Sequence, residues 1–296
     1  EYVTITSIKA IDCNGNETDI EFNSEYNDES NYLITITGTL PKILLDAKVM
    51  GPIMTSIWQN YLNIADRYNE PGKFTALTGF EWSSTPNGSN QHRVVVFKDN
   101  QDKTSKTLPY SALQSTNPED LWKYMKNYEA RTGGKVLAIP HNANMSNGKM
   151  WTMTNMKGEE MTKDYASNRS TWEPITEVTQ TKGQSESHPF LSPNDEFAES
   201  GTNSWASTNM TFSTKTKNED LQYGFARGAL KNGLLLKEKL GVNPYKFGMI
   251  GSTDSHTSLS TADDNNFLGK FSTMMFDKNR ASGNFNHSPN PKNVRF

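Results

Sequence analysis

A single cysteine, Cys13, stands in 296 residues, which excludes an internal disulfide and any multi-cysteine zinc site. Histidine and carboxylate side chains are left as the available metal ligands. Histidine is scarce too, with five in the whole chain. Basic runs are missing, and a net charge of −3 with a pI near 6.0 gives no general attraction for nucleic acid or anionic membranes. No segment approaches the ~18 continuous apolar residues of a membrane helix, so the sequence reads as a soluble chain. It starts at Glu1 without a signal peptide, from which the removal or omission of an N-terminal segment is expected. Bacterial cytoplasm and periplasm both fit this composition, and nothing in it sets an oligomeric state.

What is present is patterned. Alternating runs at residues 2–8 and 32–37 read as strands. Ile57, Trp58, Tyr61, Leu62, Ile64 and Ala65 recur at helical spacing up to a stop at Asn69-Glu70-Pro71-Gly72. Asn117-Pro118-Glu119-Asp120 is a capped helix start, with its end at Thr132-Gly133-Gly134. Residues 142–171 and 192–218 carry no clean period and read as long loops, the first with a short helix over the site. A further helix spans residues 221–240, with Phe225, Leu230 and Leu234 at helical spacing. Strands alternating with helices predict a parallel α/β architecture. The tail beyond Phe276 reads as irregular, which divides the chain into N-terminal strands (1–45), one large domain (46–276) and a tail (277–296).

The chemistry sits at the tips of short apolar runs. Phe247-Gly248-Met249-Ile250 leads into Gly251-Ser252-Thr253-Asp254-Ser255-His256-Thr257, and i and i+2 at a strand end point the same way. Such an Asp and His can share one divalent ion. His141 follows Val136-Leu137-Ala138-Ile139-Pro140; Glu81 follows Leu77-Thr78-Gly79-Phe80; Glu177 follows Pro174-Ile175-Thr176; and His92 precedes Val94-Val95-Val96-Phe97. One such histidine is more often a hydrogen-bonded core or surface residue than a ligand, but five ligand-type residues in one setting reverse that balance. Trp58, Trp82, Trp122 and Trp172 read as core, with Trp82 also beside Glu81. Ser83-Ser84 lack the surroundings of a nucleophile elbow.

These segments, with Pro71-Gly72-Lys73-Phe74-Thr75, Gly79-Phe80-Glu81-Trp82, Asn90-Gln91-His92-Arg93, Ile139-Pro140-His141-Asn142, Glu177-Val178 and Glu186-Ser187-His188-Pro189, occur in one order. Together they resemble the DUF3604 family, bacterial proteins related to the PHP (polymerase and histidinol phosphatase) superfamily of metal-dependent phosphoesterases. The resemblance runs from about Asp46 to Met275. It implies a distorted (β/α)7 barrel, incomplete or modified at its N-terminus, with two or three Zn, Mn or Fe ions at the strand ends. It further implies that Glu81, His92, His141, Asp254 and His256 are metal ligands. Glu81, His141, Asp254 and His256 would serve catalysis, while Glu177 and His188 would meet the substrate. Arg93 is assigned to anionic substrate oxygens by its position beside His92 alone. The expected partner is a small anionic ester, with no nucleic acid and no membrane span.

One departure stands out. The family pattern opens with His-x-His and a later Asp-His pair, and residues 1–80 contain neither. Either a preceding segment supplies them or residues 1–45 have replaced them. The expected activity is therefore metal-activated attack of water on a phosphate ester; the alternatives are a non-catalytic protein holding an anionic ligand or partner, or a hydrolase of sulfate, carboxylic or phosphotriester substrates.

Overall fold

The computed structural model describes β1 (Ile8–Ile11), β2 (Glu17–Ile20), β3 (Phe22–Asn23), β4 (Thr35–Ile36) and residues 47–200 and 207–256. The predicted strand at residues 2–8 and the tail beyond Phe276 fall almost wholly outside these. Two compact units divide the chain, Glu1–Asn60 and Tyr61–Phe296. In the first, β1 pairs antiparallel with β2, and β3 with β4. Helix α1 (Ala47–Tyr68) covers the predicted helical run and extends it at the N-terminal side.

The second unit holds two three-stranded sheets. One has the order β5 (Thr78–Trp82), β6 (Arg93–Phe97), β7 (Val136–Pro140), antiparallel throughout. The other has the order β10 (Gly248–Gly251), β8 (Ile175–Gln180), β9 (Gly183–Gln184), with β10 parallel to β8 and β9 antiparallel to it. The Thr176 hydroxyl donates to the Pro140 carbonyl at 3.0 Å and ties β8 to the end of β7. Among the described residues there is no closed barrel, which corrects the (β/α)7 and all-parallel expectations. The reason is local: β5 reaches β6 through a short loop whose one helical element is the single 3-10 turn Pro86–Gly88, and a full crossover helix is what a parallel return usually requires.

Register sorts the first sheet into two faces. Trp82, Arg93 and Pro140 are aligned, as are Phe80, Val95 and Ala138, and Thr78, Phe97 and Val136. This face is buried, apart from the partly covered Phe80. Helix α3 (Pro118–Thr132) buries Leu121, Trp122, Met125 and Tyr128, at one-face spacing, and Tyr128 meets Phe97 at 4.7 Å between ring centroids. The helix starts as predicted: the Asn117 side chain accepts from Glu119 N–H at 3.1 Å, Pro118 follows, and Gly133 ends it at φ +63°. Helix α4 (Lys163–Trp172) is the short helix expected within residues 142–171. Helix α5 (Ala226–Leu240) packs through Ala226, Ala229, Gly233 and Leu236, while Leu234 is exposed. A side chain at Gly233 would meet Asn243 Oδ1 at 2.2 Å, so close approach rather than leucine spacing selects the packed face. No helix among the described residues is long and apolar enough to cross a membrane.

Candidate metal centre

Glu81 lies opposite both Val94 across one ladder and, through Val94, Ile139 across the next. Side chains alternate along strands, so His92 shares a face with Val94, and His141 with Ile139. The same face therefore receives Glu81, His92 and His141, opposite the one that α3 covers. An antiparallel β6 contributes the residue before its start, next to the ends of β5 and β7. The convergence expected of parallel strand tips is reached here by the opposite strand direction.

The backbone reinforces this placement. His141 N–H donates to the His92 carbonyl at 3.4 Å, one step beyond the β6–β7 ladder. Asn90, fully buried, donates through Nδ2 to the carbonyls of His141 and Asn142 at 3.2 and 3.0 Å, and its Oδ1 accepts from His92 N–H at 2.6 Å. One side chain thus clamps both histidine segments. The two imidazoles meet edge to face at 5.6 Å.

Glu81 Oε1 lies 2.7 Å from His92 Nδ1 and 3.2 Å from His141 Nε2. Its other oxygen, Oε2, is 3.8 Å from His256 Nε2. Burial alone would raise the Glu81 pKa, but hydrogen bonds from His141 and His92 hold it far below the usual carboxylate range. Burial lowers the pKa of His92, favouring the neutral imidazole that a metal requires. The remaining His92 nitrogen, Nε2, is 2.9 Å from Thr85 Oγ1.

Asp254 and His256 arrive differently from the expected strand parity. Strand β10 ends at Gly251, and Asp254 takes φ +52° in the turn beyond it. His256 Nδ1 donates to the Asp254 carbonyl at 2.7 Å, which leaves Nε2 facing Glu81. Asp254 Oδ2 accepts from Gln180 Nε2 at 3.0 Å and pairs with Lys182 Nζ at 2.9 Å. Glu177 sits mid-strand in β8 rather than at its end; its Oε2 accepts from Ser252 Oγ at 2.6 Å and from Gln180 Nε2 at 3.3 Å, and burial raises its pKa. Gln180 thereby links Glu177 to the cluster.

Two groups of three ligand atoms each lie within 4.8 Å of one another: Glu81, His92 and His141, and Glu81, Asp254 and His256. A carboxylate with two imidazoles, and two carboxylates with one, are donor sets that could hold a divalent metal ion.

Two predicted residues are not brought to this cluster. Arg93 is fully buried on the opposite face, where Nε donates to Glu173 Oε1 at 3.0 Å and Nη1 to the Gln91 carbonyl at 2.6 Å. Arg169 pairs with Glu173 Oε2 at 3.2 Å, and the Arg93 guanidinium lies 5.8 Å from the Trp82 ring. Trp82 is thus core. His188 packs its ring on Phe225 at 5.2 Å and accepts from Phe190 N–H. His287 lies outside the described residues. The reading from sequence missed Asn90 in its clamping role, and Thr85, Gln180 and Lys182 altogether. The legible signal for the last two was the two-residue hairpin Thr181-Lys182 ahead of Gly183, directly after the strand that carries Glu177.

The family described as protein of unknown function (DUF3604) matches residues 5–294 of the chain. The chain belongs to the DUF3604 family. Comparison of this DUF3604 protein with curated proteins and with solved structures returned no match.

Proposed function

We propose that this DUF3604 protein is a metal-dependent hydrolase, a phosphoesterase of the kind found in the PHP superfamily, acting on a small anionic ester. The observation that carries the reading is the sharing of Glu81 by two three-ligand groups. Glu81, His92 and His141 would hold a divalent ion, which would supply polarisation of an ester oxygen and activation of a water near neutral pH. The protein's own groups are arranged for this. Glu81 is held far below the usual carboxylate range; burial favours the neutral form of His92; the His256 ring is oriented by the Asp254 carbonyl; and Gln180 and Lys182 hold one oxygen of Asp254. Sulfate, carboxylic and phosphotriester substrates share the same requirement for an activated water.

The test is elemental mass spectrometry of the purified protein and of His141→Ala and Glu81→Gln, alongside hydrolysis of an aryl phosphate with added Mn or Zn. Bound metal and metal-dependent turnover are expected in the parent and should be lost in both variants. A second reading, a non-catalytic protein holding an anionic ligand, is favoured by the missing His-x-His and Asp-His pairs in residues 1–80. Bound metal without turnover on any of the ester classes would select it.

A further inference from the structure

Lys182 is a buried lysine in the tight turn between β8 and β9, and its ammonium is aimed at the centre rather than at solvent. Its nearest anion is Asp254, the carboxylate that distinguishes the second ligand group from the first. Its charge is also felt at His92. Asp254 therefore already has a cation at 2.9 Å from Oδ2, with Gln180 on the same oxygen at 3.0 Å. Buried like charges repel strongly because little water screens them.

We propose that the Lys182 ammonium supplies the positive charge that a second divalent ion would otherwise bring to Asp254, so that the centre takes a single ion at Glu81, His92 and His141. The proposal rests on the metal-centre reading and adds to it a stoichiometry and the residue that sets it. The charge count supports it. The first group offers Glu81 and two imidazoles, with no lysine or arginine paired to any of the three among the described residues. The second group shares Glu81 and has its own carboxylate neutralised by Lys182. Removing the ammonium leaves Gln180 to hold Asp254, so the ligand keeps its orientation while the repulsion disappears.

The experiment is titration of metal-free protein with Mn, followed by calorimetry and by electron paramagnetic resonance, comparing the parent with Lys182→Met. The parent should bind one ion per chain with an isolated-ion spectrum. The variant should bind two, or bind the second at least about tenfold more tightly, with a spin-coupled spectrum. Adding Asp254→Asn to the variant should return it to one. Lys182→Gln, which keeps a donor for Asp254, carries the test if the methionine variant does not fold. Two ions in the parent, or one ion with unchanged affinity for a second in both lysine variants, would overturn the proposal while leaving the metal centre standing. No ion in the parent would overturn the metal centre and the proposal with it.

Discussion

Glu173 has two buried guanidinium partners, Arg93 and Arg169, and also accepts from Trp122 Nε1 at 3.0 Å. Burial would raise its pKa, yet the two arginines hold it below the usual carboxylate range. A depressed folded-state pKa contributes stability that is present above the unfolded value of ~4.3 and is lost as pH falls through the folded one. Glu173→Gln should therefore cost about 3–5 kcal/mol at neutral pH, since it strands two buried cations, and should flatten the decline in urea midpoint as pH falls below the unfolded value of ~4.3. A variant with the parent's acid profile would remove Glu173 from that role. The sequence could not show this, because a buried Arg93 and a ligand-bound Arg93 look alike beside a histidine. Which face a residue takes depends on strand register, and Arg93 is one residue out of phase with His92. The metal-type ligands were legible for the opposite reason: scarce residue types at the tips of apolar runs leave few alternatives.

At the scale of elements, the centre depends on how closely β5 approaches β6. A side chain at Gly79 would meet the Val95 carbonyl at 2.5 Å, so the two strands pair only because that position has none. Gly79→Ala should push β5 away, displace Glu81 two residues on, and weaken Mn binding by about tenfold to a hundredfold in calorimetry; unchanged affinity would mean that β5 tolerates the shift. Helices were the most readable elements, because caps are local chemistry: Asn117, Pro118 and Gly133 marked both ends of α3. Strand direction was not readable, because alternation fixes which side chains share a face but is the same in parallel and antiparallel pairs. The expected parallel sheet and barrel failed there. Similarly, helical spacing marked α5 as a helix but not its packed face, which runs through Ala226, Ala229, Gly233 and Leu236 and leaves Leu234 exposed.

For the whole molecule, the two sheets of the second unit meet at Glu81, with candidate ligands from β5, the start of β6, the end of β7 and the segment after β10. An ion that binds only this arrangement stabilises it by about 2.7 kcal/mol at a hundredfold excess over Kd. For a chain of this size the melting temperature should rise by roughly 4 °C with Mn and return on adding a chelator. A shift of under a degree at saturation would argue that no ion binds the native state selectively.

The order of the ligands along the chain has a consequence during synthesis. Glu81, His92 and His141 lie on one sheet that closes within residues 78–140, while Asp254 follows about 110 residues later. At roughly 5–20 residues per second the ribosome leaves an interval of about 5–20 s between them. Over the first part of that interval, until residue 182 is made, a nascent chain carries the first three candidate ligands without Lys182 or Asp254, and an ion of the compartment of translation would have its first opportunity to bind there.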